Sequence, residues 1–287
     1  MICLHHDDLD GRCSAAIVQK ALGNDNDIKF YEVNYSSELP IDDIKKDEDV
    51  IIVDFSLSDD DMKRVEEKTK NITWIDHHKT AEGYYYQHFN GLRNFKDKAK
   101  AACELCWDFY FPTKEMPETV QLLGDYDKFA LKLKPACFNF HEGMKIEDTT
   151  PKSEIWNELL GDGNELLTSI NEISKIGENC IKYRDIYYQD MMAEVGYETK
   201  YKGLVGCVAN LYGFGSPPFG DKIDRYDFIV SYIHNGRSYK VSLYSKKKNV
   251  DVSEISKSFG GGGNKGASGF ECTELPFKPS ILILKKK

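Results

Sequence analysis

Asn71-Ile72-Thr73-Trp74-Ile75-Asp76-His77-His78 is an apolar run that ends abruptly in one carboxylate and two imidazoles. A β-rich segment buried in a sheet delivers the residues that follow it to the edge of that sheet, where open α/β folds hold their ligands. Three consecutive side chains able to bind a divalent cation or move a proton therefore stand where a site would be built. Taken alone, the triplet reads equally well as turn and capping chemistry. Its meaning depends on whether other strand ends supply matching groups.

Two of them do. Met1-Ile2-Cys3-Leu4 runs into His5-His6-Asp7-Asp8-Leu9-Asp10-Gly11, and from Arg12 to Leu22 the apolar Ala15, Ala16, Ile17 and Ala21 recur at helical spacing. The acidic cluster is thus expected on a strand-to-helix loop. It makes a poor phosphate cradle, because anions at helix N-termini want bare N–H groups. Acidic groups at this density repel one another unless cations neutralise them. Ile28 to Val33 reads as a second strand, and Val50-Ile51-Ile52-Val53 as a strand buried on both faces of a parallel sheet, delivering Asp54 at its end. Ser58 can cap the acidic helix start Ser58-Asp59-Asp60-Asp61, which leaves Asp54 free. With helices between these strands, groups distant in sequence converge on one sheet edge.

The next helix is expected over about Ala99 to Phe111, with Cys103, Cys106, Trp107 and Tyr110 as its buried stripe. Cys103 and Cys106 have zinc-type spacing but no second pair, and read as core. Thr119 to Leu123 reads as a short helix ending at Gly124-Asp125-Tyr126-Asp127, where the negative end of the dipole disfavours a carboxylate unless a cation is near. Glu154 to Met192 reads as a long connecting helix. Beyond it come a strand over Gly203 to Ala209, a Gly/Pro-rich loop from Gly213 to Gly220, and a hairpin of Asp227–Ile233 with Ser238–Tyr244 around Asn235-Gly236. A helix over Val252 to Phe259 leads into four glycines. There the bare N–H groups of Gly261, Gly262 and Gly263, with Asn264 and Lys265, suit an anion cradle.

At 287 residues the chain is long enough for two domains, each with its own core. A net charge of -9 and a pI near 5.4 argue against a broad basic surface for long nucleic acid, and leave room for a small anionic substrate gripped through cations. The eight cysteines show no regular framework and no signal-like segment is evident, so reduced thiols in the cytoplasm are the expectation. No apolar run approaches the roughly 18 residues needed to span a bilayer.

His6-x-Asp8-x-Asp10-Gly11, the strand-terminal Asp54, Asp76-His77-His78 and Gly124-Asp125 resemble, in their usual order, the four motifs of the DHH phosphoesterase superfamily. Gly260 to Phe270 is similar to the glycine-rich signature of the DHH-associated C-terminal domain, with Asn264 where that family more often has His. The resemblance implies an α/β architecture. Residues 1–150 would form a catalytic domain around an open, mainly parallel sheet flanked by helices, 151–195 a helical linker, and 196–287 a smaller α/β substrate-binding domain.

It further implies two divalent metal ions, manganese first, with magnesium or cobalt as alternatives. One would be held by a histidine of the His5-His6 doublet, of which His6 fits the spacing better, with Asp8 and Asp54. The other would take Asp10, Asp54, His77 and Asp125, with Asp127 competing for the last place. His78 would face the phosphate as contact or proton donor, and Asp76 would support the imidazoles from behind. The implied activity is two-metal hydrolysis of phosphodiester bonds in short oligonucleotides or nucleotides, as in nano-RNases. Cyclic dinucleotides, 3′-phosphonucleotides, and pyrophosphate or polyphosphate are the other substrates within the superfamily, and a catalytically silent nucleotide sensor is the reading from another class. Neither a membrane nor a long duplex is an expected partner, and a homodimer is one allowed assembly.

Overall fold

Strands β1 (Ile2–His6), β2 (Lys29–Val33), β3 (Val50–Val53) and β4 (Ile72–Ile75) form one parallel sheet in the order β2-β1-β3-β4. The computed structural model describes residues 1–23, 25–35, 38–96, 99–161, 164–211, 215–216, 219–220 and 222–280. Every residue of β3 is buried, as its unbroken β-branched run requires. Ile51 and Val53 join Cys3 and Ile75 in one core layer with α1 (Leu9–Leu22), while Val50 and Ile52 face Leu4, Trp74 and, from α2 (Asp59–Lys68), Met62 and Val65. Each such aliphatic side chain contributes about 1.5–3 kcal/mol by leaving water. Strand β1 is followed in space by β2 on one side and β3 on the other, so the crevice at the carboxyl ends of β1 and β3 is the point where the topology reverses.

Helices α3 (Ala102–Tyr110), α4 (Glu118–Asp127) and α5 (Ala136–Met144) contribute Cys103, Cys106, Trp107, Val120, Leu123 and Phe140 to the first layer. Cys103 and Cys106 are buried and in no disulfide, in keeping with the core reading. Three boundaries beside the crevice differ from expectation. Strand β1 continues through His5 and His6, and α1 starts at Leu9 with Asp8 as its N-cap, so Asp10 and Gly11 lie in the first helical turn and not on a loop. A Cβ on Gly11 would lie 2.4 Å from the His6 carbonyl oxygen, so only glycine lets α1 start this close to the strand. Helix α4 runs on through Gly124 to Asp127. A glycine inside a helix costs about 1 kcal/mol; here it admits Glu104, whose Cδ would stand 2.8 Å from an added Cβ.

Helices α6 (Ile155–Leu159) and α7 (Asn164–Val195) follow. The chain forms two compact units, Met1–Ile181 and Lys182–Lys287, and the division falls within α7. The second unit is a six-stranded sheet made of β5 (Tyr197–Tyr201), β6 (Leu204–Ala209), β7 (Phe228–His234), β8 (Tyr239–Tyr244), β9 (Gly262–Asn264) and β10 (Ala267–Cys272), in the order β5-β6-β7-β8-β10-β9. Among the described residues of this sheet only β6 and β7 pair in parallel. Short helices α8 (Lys222–Arg225) and α9 (Val252–Lys257) complete it.

The β7–β8 hairpin forms at Asn235-Gly236 as expected, with Asn235 Oδ1 accepting the N–H groups of Arg237 and Ser238. Strand β5 was not anticipated, because its alternation of Tyr, Glu, Thr and Lys is that of a half-exposed edge. Half of the expected Gly/Pro-rich loop over 213–220 lies outside the described residues. Among the described residues no helix is long and apolar enough to cross a membrane.

Candidate metal centre

Three parallel strands end side by side, and each delivers acid or imidazole into the crevice between β1 and β3. From β1 come His6 and Asp8: His6 Nδ1 lies 2.9 Å from Asp8 Oδ2, while Asp8 Oδ1 accepts the Gly11 N–H at 2.9 Å. Alternation along the strand explains why only one of the two adjacent imidazoles arrives there. His5 turns the other way, is 1% exposed, packs near Phe30, and its Nδ1 meets the His6 carbonyl. His5 thus packs as a buried side chain away from the crevice, and burial pulls its pKa down.

From β3 comes Asp54. It sits at φ = 54°, in the left-handed region that Asp and Asn tolerate better than most residues. Its side chain is 1% exposed and neither carboxylate oxygen has a hydrogen-bond donor. Ser58 does cap α2, accepting the Asp61 N–H, which is why Asp54 is not consumed as a cap. Burial, followed by the charges of Asp10, Asp8, Asp127 and Asp76, raises the Asp54 pKa well above the carboxylate range.

From β4 come the three residues of the central motif, which point to three different tasks. Asp76 is fully buried and accepts the Ser56 hydroxyl, the backbone N–H of His77 at 2.8 Å and the His78 ring at Nδ1, also 2.8 Å away. His77 Nε2 lies 3.3 Å from Asp54 Oδ1, 3.4 Å from Asp127 Oδ2 and 3.7 Å from Asp10 Oδ2. His78 Nδ1 is 3.8 Å from Asp54. Burial presses the His78 pKa down, but the hydrogen bond and charge of Asp76 outweigh it and the net shift is upward. At His6 the hydrogen bond to Asp8 likewise prevails over burial and raises the pKa.

Asp10 reaches the crevice from the first turn of α1, and its two oxygens also accept the N–H groups of Cys103 and Ala102 at the start of α3. One carboxylate thus satisfies the open end of a helix more than ninety positions away, where the helix dipole favours negative charge. The fourth acidic position is Asp127. Its Oδ2 is buried without a donor, and burial together with the charges of Asp10 and Asp8 raises its pKa to about 8. Asp125 places its carboxylate on the backbone N–H groups of Lys132 and Leu133, at 3.1 and 2.9 Å, where it ties down the segment after α4. Burial opposes its charge, but those N–H bonds hold its pKa below the usual range.

The donors fall into three overlapping sets, His6-Asp8-Asp54, Asp54-His77-His78 and Asp10-His77-Asp127, with the ligand atoms of each set within 4.8 Å of one another. Buried carboxylate oxygens with no donor, placed beside imidazole nitrogens, fit divalent cations and little else. Asp54 is shared by the first two sets, and His77, 3.3 Å from it, is shared by the second and third. Two aromatic rings also border the crevice without having been singled out from the sequence, Tyr35 after β2 and Phe55 after β3, with centroids 4.6 Å apart.

In the second unit, Gly262, Gly263 and Asn264 form the edge strand β9 paired to β10, so the glycine run is part of a hairpin. Lys265 is at its exposed tip, where its carbonyl accepts the Val252 N–H. Gly261 precedes the strand, donating its N–H to the Ser256 carbonyl.

Residues 1–125 match the DHH family, N-terminal domain. An uncharacterized protein of Acanthamoeba polyphaga mimivirus is 28% identical over 248 residues, covering 82% of this chain and 55% of its own length, so the chain spans little more than half of that relative. The fold is shared with an exonuclease RecJ bound to manganese (TM-score 0.54, 12% identity, 94% of this chain and 85% of that one). It is shared also with a pGpG-specific phosphodiesterase from Vibrio cholerae (TM-score 0.52, 14% identity, 95% and 92%). Over residues 1–125, then, the chain is similar to the N-terminal domain of the DHH family.

Proposed function

We propose that the protein is a metal-dependent phosphohydrolase that cleaves phosphodiester bonds of short oligonucleotides or nucleotides. The observation that carries this reading is Asp54, a buried carboxylate with no hydrogen-bond donor, set between His6-Asp8 on one side and His77-Asp10-Asp127 on the other. His6, Asp8 and Asp54 would hold one divalent cation, and Asp10, His77, Asp127 and Asp54 a second. When bound, such a pair supplies an activated water at neutral pH and neutralises the non-bridging phosphoryl oxygens. Imidazole mixed with carboxylate suits manganese or cobalt better than magnesium, and a RecJ of this fold binds manganese.

The chain's own residues supply the rest. With His78 Nδ1 engaged by Asp76, its Nε2 is the ring nitrogen available to a substrate, and the raised pKa keeps a proton there for the leaving oxygen. Asp76 orients that ring and reaches no substrate itself. On the second unit, Lys265 at the hairpin tip is the proposed contact for a terminal phosphate. An acidic chain favours a short substrate gripped by its phosphates over a long strand tracked by a basic groove. The pGpG-specific enzyme of the same fold is a precedent for a dinucleotide.

Incubation of the manganese-loaded protein with a linear dinucleotide, a cyclic dinucleotide, a 3′-phosphonucleotide and pyrophosphate tests the reading. Turnover of the linear dinucleotide is expected. Turnover of pyrophosphate alone would refute it.

A further inference from the structure

We propose that Tyr35 is a stacking platform for the base of a bound nucleotide, and so a specificity residue that selects nucleoside phosphoesters over base-free phosphates. The inference deepens the phosphodiesterase reading and rests on it. Tyr35 lies just past β2, at the same sheet edge as the metal ligands, because Val33 at the end of β2 pairs with His6. Its neighbour Asn34 donates to Asp7 Oδ2 at 2.9 Å, which ties the segment to the first acidic motif.

The Tyr35 ring is 60% exposed, yet it is not loose. It packs against the buried Phe55 at a centroid distance of 4.6 Å, and stands 6.0 Å from the His6 ring and 6.3 Å from the His78 ring, nearly perpendicular to the latter. Exposed aromatics scattered over a surface need no explanation. This one is pinned by a second aromatic that follows Asp54 directly in sequence, and it borders both the His6 set and the proposed proton donor. A ring ordered before the ligand arrives loses little freedom on binding. Stacking needs only the π-face of a base, so the platform serves all four bases. A phosphate beside His78 leaves its nucleoside one sugar away, within reach of the exposed face of Tyr35.

The test compares adenosine 5′-monophosphate with ribose 5-phosphate, each titrated calorimetrically into the manganese-loaded full chain. The native protein is expected to favour the nucleotide about tenfold, the usual worth of one stacked base. Tyr35→Phe and Tyr35→Trp should keep that ratio. Tyr35→Leu, which still covers Phe55 but has no π-face, and Tyr35→Ala should bring it close to one, with metal content unchanged. A native ratio near one, no binding of either compound, or a ratio that survives in Tyr35→Leu would overturn the proposal. Failure of the underlying reading looks different: a protein that prefers the nucleotide but turns over only pyrophosphate keeps the platform and loses the phosphodiesterase assignment.

Discussion

Asp54 Oδ1 stands 3.3 Å from His77 Nε2, and neither oxygen of Asp54 has a hydrogen-bond donor. A buried carboxylate in this state destabilises the metal-free protein and stabilises the loaded one. Asp54→Asn keeps the shape and tolerates the left-handed backbone, whereas Asp54→Ala adds backbone strain of about 1 kcal/mol. We expect Asp54→Asn to lose metal and turnover together. Its metal-free melting temperature should not fall, and should rise about 2–4 °C for each kcal/mol of relieved repulsion. Elemental analysis and calorimetry check both; near-normal manganese content would count against Asp54 as a metal-holding residue.

Asp125 and Asp127 face opposite demands, and their amides separate them. Asp127→Asn should empty the site of metal while leaving the fold intact. Asp125→Asn should retain metal and lose about 1.5–3 kcal/mol of stability, the range for hydrogen bonds to a charged group. Denaturant titration beside metal analysis distinguishes the two. The reverse pattern would restore Asp125 as the ligand.

The parallel sheet was legible because β3 is a continuous β-branched run, and buried parallel strands have no polar face to disguise them. The convergence of Asp8, Asp10, Asp54 and His77 followed from strand ends sharing one edge. What the sequence left open turned on one-residue geometry. His5 and His6 differ only in which side of the pleat they occupy, and Asp125 and Asp127 only in which way the last turn of α4 directs them. Tyr35 escaped notice because an aromatic after a strand carries no signal until its ring is seen 6.3 Å from His78.

Asp76 accepts from His78 and Ser56 and from the His77 N–H, but its side chain reaches no other histidine ring. Asp76→Asn is therefore expected to retain metal, lower kcat about 10–100-fold in the way that loss of an orienting partner does, and lower the His78 pKa. His78→Gln should give a comparable loss of kcat with the alkaline limb of the pH profile removed. NMR titration of the imidazole reads the pKa directly. An unchanged His78 pKa in Asp76→Asn would exclude the positioning role.

Lys265 projects from an exposed hairpin tip and holds no described ion pair. Lys265→Ala is expected to raise KM for a dinucleotide several-fold while metal content and melting temperature stay as they were. An unchanged KM would count against its phosphate contact.

His141 on α5 stacks on Tyr126 of α4 with ring centroids 3.5 Å apart, and its Nδ1 is buried without a partner. Burial, helped by the charge of Lys145, lowers its pKa from 6.5 to about 3. Between those two values the unfolded chain binds a proton that the folded chain does not, so stability is complete above about pH 6.5 and is lost as pH falls toward 3. The slope from this one group cannot exceed about 1.4 kcal/mol per pH unit. His141→Phe keeps an aromatic ring against Tyr126, gives up no hydrogen bond at Nδ1 and removes the titration. Its stability should change less with pH across that window than that of the native protein, while the two converge in slope above pH 7. Chemical denaturation at half-unit pH steps measures the difference, and equal slopes throughout would show that His141 is protonated in the folded state.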